Sequence, residues 1–339
     1  MSQKNETLIL FLAIIIPVCL IFSGLWFFRD IWQPKSTVSN ANNIDNQSLP
    51  SKCDISIEGT FNYGGSTTWA PIRKDVDSVL QQTCPRFVLR YVQPATEKPG
   101  SGTGIKMLIA NQLAFSQSSR SVKGEENVAA KNRGFGLQEI PVAIDGIVIA
   151  VNLKLNIPGL TINQIQGIYT GKITNWQEVG GPNLPITPIT RSQAAGGTVE
   201  FFIENVLENT SFGKNISYID TTTEALRKVA QIDGAIYYAS APEVIPQCDI
   251  KTLPIGRDSQ RFIVPYQEPY IPKSECPNKR NQLNTAVFRS GDYPITRNLF
   301  VIVKQNGQID EQAGKAYANW LLTSQGQQLI EKAGFIRLK

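Results

Sequence analysis

No histidine occurs anywhere in the 339 residues. That absence removes the commonest general base, the commonest zinc ligand and every Ser-His or Cys-His nucleophile arrangement. No paired Asp/Glu motif stands in its place. Charged residues are sparse at 18%, and the net charge of +5 is spread along the chain. There is no basic run and no basic patch interleaved with aromatics, so the sequence carries no nucleic-acid footprint. Nucleotide motifs are missing too. No G-x-x-x-x-G-K-[ST] is present, and "GSGTG" at 100–104 lacks the G-x-G-x-x-G ending and the acidic residue that follows a second strand. No C-x-x-C spacing and no long internal repeat occur. A zinc site is therefore not expected, nor any other metal or cofactor.

One long apolar run is present. Residues 7–28, "TLILFLAIIIPVCLIFSGLWFF", carry no charge and are long enough to cross a bilayer. The run ends in Trp26, Phe27 and Phe28, followed by Arg29 and Asp30. This is an interfacial belt and a stop rather than a small-residue cleavage site, so an uncleaved anchor is expected over a cleaved signal. Pro17 and Val18 before Cys19 do not suit a lipid-modified cysteine. The run follows a short tail, 1–6, and precedes a tether, 29–52, whose Ser- and Asn-rich stretch has little to bury.

Outside the anchor lie four cysteines, Cys53, Cys84, Cys248 and Cys276. An even count without metal spacing argues for disulfides and an oxidising compartment. Three pairings are possible. The one that closes the shortest loops, Cys53 with Cys84 and Cys248 with Cys276, is expected.

From Cys53 onward, strand-like and helix-like stretches alternate, which predicts an α/β body. "SIEGTFNYGG" and "RFVLRYVQP" read as strands around a helix-forming stretch at 71–82. "VAIDGIVIAVN", "AIYYAS" and "YPITRNLFVIVK" read as strands, with "TTEALRKVAQIDG" as a helix and two more closing the chain. Small-residue clusters recur at the strand-to-helix joints: Gly64, Gly65, Ser66, Thr67 and Thr68; then Gly100, Ser101, Gly102, Thr103 and Gly104; then Arg191, Ser192, Gly196, Gly197 and Thr198. A fourth segment sets Ser116, Ser118, Ser119 and Arg120 after a short apolar run. One such cluster is an ordinary helix cap. Three of them, with arginine beside two hydroxyl segments, form a multi-donor anion site, because α/β sheets bind ligands where such loops converge. A small tetrahedral anion suits these donors better than a dinucleotide.

The blocks "GGSTTWAPI", "GSGTGI", "FSQSSR", "DGIVIAVN", "IYTGKITNW", "RSQAAGGTVEFF", "GAIYYAS" and "YPITRNLFVIVK" appear in that order between Gly59 and Phe335. In this the chain resembles the phosphate-binding proteins of bacterial ABC-type phosphate importers, of the type 2 periplasmic-binding-protein family. The resemblance implies two α/β lobes closing over the anion, the first at 53–150 plus 294–339 and the second at 151–293. Crossovers are expected at Ala150 to Asn152 and Ile295 to Arg297. It also implies a phosphate site made of Ser66, Thr67 and Thr68 from the first loop and Ser101, Gly102 and Thr103 from the second. Ser118 and Ser119 come from the third loop, and Arg191, Gly196, Gly197 and Thr198 from the second lobe. Where the family carries an aspartate after the serine of the third loop, this chain has Ser119. Where the family reads R-x-D-G-S-G-T, it has Gln193, Ala194 and Ala195 and one extra residue.

The function so implied is capture of inorganic phosphate, with sulfate or a similar oxyanion as the alternative ligand, and delivery to the permease subunits of an ABC importer. The protein is expected to be a monomer and not an enzyme. It is held to a bacterial inner membrane through its N-terminal helix, with the binding body on the periplasmic or extracellular side. A membrane-anchored anion sensor or adaptor is the second reading. An extracellular phosphohydrolase is the third, disfavoured by the missing histidine and metal cluster.

Overall fold

The computed structural model describes residues 53–192 and 196–338. The expected tail, anchor and tether lie outside the described residues, as do Gln193, Ala194 and Ala195. Among the described residues, no helix is long and apolar enough to cross a membrane.

The body is a two-lobed α/β structure built on a mixed sheet. In the first half, β1 (Gly59–Gly65) leads through α1 (Ala70–Asp75) and α2 (Asp77–Thr83) to β2 (Phe87–Tyr91). Then come α3 (Ser101–Ile109), β3 (Phe115–Ser118), α4 (Gly124–Lys131) and the long β4 (Gly136–Asn152). The second half holds β5 (Leu160–Thr161), α5 (Ile162–Tyr169), β6 (Thr187–Arg191), α6 (Gly197–Asn205), β7 (Ser217–Ile219), α7 (Thr222–Gln231) and β8 (Ala235–Ser240). It continues with α8 (Ala241–Val244), β9 (Ile250–Leu253), β10 (Ile255–Gly256) and α9 (Thr285–Arg289). The chain then returns through β11 (Thr296–Gln305) to α10 (Ile309–Leu321) and α11 (Ser324–Lys332). The helix-forming stretch expected at 71–82 is thus two helices joined at Val76.

The strand order is β2-β1-β3-β11-β4-β8-β6-β7, with β9 also paired to β4. β1 is parallel to β2 and β3, β11 runs antiparallel to β3, and β4 runs antiparallel to β11. β4 is the strand shared by both lobes. Gly136 to Gly146 pair with β11, and Ile147 to Val151 pair with β8. The change of partner therefore comes at Gly146/Ile147, earlier than the Ala150 to Asn152 passage expected from sequence. Gly146 sits where a Cβ would lie 2.0 Å from the Phe288 ring, so α9 packs directly on the crossover backbone.

Each half has its own core. One cluster gathers Trp69, Leu80, Phe87, Phe115, Tyr317 and Phe335; another gathers Ile149, Trp176, Phe202, Ile236, Tyr238 and Tyr293. The near-continuous Val/Ile run of β4 is buried because strands and helices cover it from both lobes. The segment leading to Trp176 is fixed by local chemistry. Thr161 and Gln164 form a reciprocal cap on α5, and the buried Trp176 indole donates to the Gly234 carbonyl at 3.0 Å.

Both expected disulfides are formed, Cys53–Cys84 and Cys248–Cys276, closing separations of 31 and 28 residues. Loops of that size stabilise by roughly 3–4 kcal/mol each through the unfolded chain.

A buried carboxylate knits the first core. Tyr63 and Tyr317 each donate to Asp77, both at 2.7 Å. Burial pushes the Asp77 carboxyl up from 3.8 to about 6, against the pull of the two tyrosine donors and of Arg73, the cation that faces it. A carboxyl raised on folding adds stability below its unfolded value, and that contribution is lost as pH rises through the folded value. Between pH 4 and pH 7 the stability of Asp77→Asn relative to wild type should improve by about 2 kcal/mol, measured by urea unfolding at each pH. A pH-independent difference would show that Asp77 is not titrating in this window.

Candidate anion-binding site

The loops after β1, β2 and β3 meet the start of α6 between the lobes. Ser66, Ser101 and Ser119, one from each of three first-lobe loops, form a buried cluster of hydroxyls. Ser119 Oγ lies 2.9 Å from Ser66 Oγ and 3.3 Å from Ser101 Oγ, and the Ser119 N–H donates to Ser101 Oγ at 3.1 Å. Backbone contacts fix their positions. Gly65, at φ 121°, lies where a Cβ would fall 2.2 Å from the Gln117 carbonyl, so only glycine lets β1 turn against β3 there. The Trp69 indole holds the Ser118 carbonyl at 3.0 Å.

Two helices start at this cluster, each directly after a glycine, and like α1, α2, α8, α9 and α10 they have no side-chain cap. Away from the site, Thr161, Thr221 and Thr323 cap α5, α7 and α11 with their side chains. At the site, α3 begins after Gly100 and α6 after Gly196, neither with a side-chain cap. Their first N–H groups stay open to a ligand, and the helix dipoles favour a negative one.

The second lobe closes onto this cluster through glycine. A Cβ at Gly197 would lie 2.4 Å from Ser101 Oγ and 2.6 Å from Ser119 Oγ, and one at Gly100 would lie 2.8 Å from Gly196 Cα. Thr198 Oγ1 meets Thr68 Oγ1 across the cleft at 3.3 Å. Gly196 faces Thr67, whose Oγ1 would be 3.9 Å from a Cβ there. With contacts this close, a tetrahedral anion reaches the hydroxyls only when α6 withdraws.

The remaining expected residues take other positions. Ser118 turns inward and donates to the Arg120 carbonyl at 2.7 Å, holding the third loop. Thr103 donates to the Lys98 carbonyl at 3.0 Å, and Gly102 lies under Arg120 and Glu200. Arg191 ends β6 half-buried. Its charge acts on Tyr237, whose hydroxyl burial pushes up to about 12, and on Glu243, whose carboxyl burial also pushes up; Arg191 opposes both shifts.

Seven charged residues outside the expected phosphate-binding set lie around this cluster. Arg120 is buried and forked onto Glu126 at 2.7 and 2.9 Å, and its Nε meets Glu200 from the second lobe. Lys123 adds a second cross-lobe pair to Glu204 at 3.1 Å. On the crossover strands, Arg297 pairs with Asp145 at 2.8 and 3.0 Å, and Ser240 donates to the other Asp145 oxygen at 2.5 Å. Arg297 Nη2 also donates to Thr198 Oγ1 at 2.9 Å and to Thr68 Oγ1 at 3.1 Å. The available signal was Asp145 inside the apolar run of β4 and Arg297 just ahead of the apolar run of β11.

Gly197→Ala should keep the fold but block this approach. Phosphate affinity should fall at least tenfold, about 1.4 kcal/mol or more, in calorimetric titration. Scattering should show the variant open at phosphate concentrations that compact the wild type. A variant that binds as wild type does would show that α6 need not close on the serines.

The chain is similar to known proteins over most of its length. The chain is 24% identical over 283 residues to the phosphate-binding protein PstS of Staphylococcus epidermidis, covering 83% of this chain and 79% of that one. PstS of Staphylococcus haemolyticus is 23% identical over 287 residues, with coverages of 83% and 81%. Among solved structures, a Clostridium perfringens protein described as a phosphate ABC transporter substrate-binding protein, with bound phosphate, superimposes at a TM-score of 0.64. It has 23% identity and coverages of 83% and 100%. An ABC-type phosphate transport receptor from Vibrio cholerae gives 0.61 at 22% identity, covering 81% and 99%. The family model for the PBP superfamily domain matches residues 56–325, and the chain belongs to that superfamily.

Proposed function

We propose that this chain is a solute-binding protein that captures inorganic phosphate between its lobes and delivers it to an ABC importer. The observation that carries this reading is the cluster of Ser66, Ser101 and Ser119 facing the uncapped start of α6. Capture requires only donors around the anion, and these are hydroxyls and helix N–H groups. A buried divalent anion is costly unless its donors are complete, so the second lobe's contribution at Gly196, Gly197 and Thr198 couples binding to closure. The names of the relatives, all phosphate-binding or phosphate-transport proteins, support the same ligand and the same ABC partner. They also support a binding role rather than an enzymatic one. Two disulfides support a body on the oxidising side of the membrane. The anchor at 7–28 and the monomeric state are proposed from the sequence. The lobe limits, 53–150 plus 294–339 and 151–293, are proposed on the same footing.

Calorimetric titration of the full-length chain with phosphate tests the reading directly. Micromolar or tighter binding is expected, and no saturable heat at millimolar phosphate would overturn it. Within the proposed site, Arg191→Ala should weaken phosphate binding by about 2–4 kcal/mol through loss of a charge-assisted donor. Unchanged affinity would remove Arg191 from the site.

Selectivity follows from Ser119. Phosphate near neutral pH carries a proton that seeks an acceptor, and sulfate carries none. A carboxylate at this place would accept from phosphate and repel sulfate, whereas the Ser119 hydroxyl, already shared with Ser66 and Ser101, turns to donate to either anion. Sulfate should therefore compete measurably with phosphate. Ser119→Asp should widen the gap in phosphate's favour by about 1–3 kcal/mol, read by competition titration of both proteins. Wild-type indifference to millimolar sulfate would assign discrimination to another residue.

A further inference from the structure

Arg297 is a fully interior guanidinium whose donors are unevenly used. Its side chain is 2% exposed and its Asp145 partner 0%. Nε and Nη2 point at Asp145, and Nη2 faces three acceptors with two protons: Asp145 Oδ2 at 2.8 Å, Thr198 Oγ1 at 2.9 Å and Thr68 Oγ1 at 3.1 Å. Nη1, with two protons of its own, is buried and has no partner among the described residues. A buried donor without an acceptor is costly and uncommon, and a charged one more so. An interior arginine left this way marks a place where a ligand completes the set.

The surroundings indicate what kind of ligand. Both hydroxyls on Nη2 belong to the proposed phosphate loops, one from each lobe, and the Phe201 ring centroid lies 5.6 Å from the guanidinium carbon. Arg297 also borders a cavity of about 240 Å³ lined by Arg120, Phe201, Glu204, Asn205 and Asn298 and by none of the site hydroxyls. The other buried arginine on this wall, Arg120, is already forked onto Glu126 and paired with Glu200. Asp145 holds the guanidinium plane from the sheet side, on the register partner of Arg297 in β4. Such a fork, oriented by a carboxylate and aimed between hydroxyls, suits a planar pair of oxygens on a tetrahedral oxyanion.

We propose that Arg297 is an anion-binding residue, donating from Nη1 to the captured phosphate, and that Asp145 is its positioning residue. The proposal rests on the phosphate-capture reading above. The two threonines and Asp145 hold the guanidinium in place. In the bound protein the free edge turns to the anion, so the crossover strands, and not only the loops, take part in recognition.

The test uses the full-length protein with inorganic phosphate as the probe. Arg297→Lys keeps the charge against Asp145 but loses the fork, and should lower phosphate affinity at least 30-fold while circular dichroism shows the variant still folded. The pair variant Arg297→Gln with Asp145→Asn removes both buried charges together and should lose affinity similarly if it folds. Arginine-labelled protein supplies a readout that a merely structural residue would not move. The guanidinium nitrogen resonance that disappears in Arg297→Lys should shift on phosphate addition to wild type. Phosphate binding by Arg297→Lys within twofold of wild type, or an Arg297 resonance unmoved at saturation, overturns the assignment and leaves phosphate capture standing. Absence of phosphate binding by wild type overturns both.

Discussion

The buried Asp145–Arg297 pair is the interaction on which the rest of this architecture depends. Two opposite charges are withdrawn from water at the point where β4 and β11 pass between the lobes. Taking them out of water is costly, and an isolated pair would do no better than two apolar residues. Here Ser240 completes one carboxylate oxygen, and Thr68 and Thr198 accept from the guanidinium. The pair thereby ties three separate segments to the crossover strands: the first-lobe loop, the start of α6 and the end of β8. A hydrophobic contact could fill the same space but would not fix the direction in which each partner points.

Around that centre the two lobes meet with small residues in the middle and charges at the margin. Gly100, Gly196 and Gly197 let backbone approach backbone where the anion donors lie. Arg120 with Glu200 and Lys123 with Glu204 hold the adjacent wall across the cleft. Glycine contributes closeness but little adhesion, so the closed form owes its cohesion to these polar contacts. The Arg120 pairs are buried and resist screening; the Lys123 pair is partly exposed and contributes less. Such an interface is suited to repeated opening, because little apolar surface has to be exposed each time.

Much of the fold was legible because it follows from local pattern. The apolar run of β4, the Thr161–Gln164 cap and the glycine after α7 each declare an element within a short window. The joint at Val76 was not legible, since 71–82 keeps helical periodicity through it and only packing against the first core separates α1 from α2. The partner change at Gly146/Ile147 was also hidden, because residues 142–151 are uniformly apolar apart from Asp145 and neighbouring strands, not residue type, decide where the pairing switches.

For the site, the sequence by itself determined the chemistry of the donors. Repeated glycine and hydroxyl clusters at strand-to-helix joints, in a chain without histidine, admit anion binding and little else. An even set of cysteines without metal spacing pointed to disulfides, with the shortest-loop pairing expected among three, and the structure fixed that pairing. The tertiary structure alone decided which donors meet. Ser66, Ser101 and Ser119 converge while Ser118 and Thr103 turn to nearby carbonyls, since a hydroxyl goes to whichever partner the backbone presents. It alone joined Arg297 to Asp145, which are 152 residues apart. That juxtaposition is a property of antiparallel register, and register is set by the whole sheet rather than by either strand.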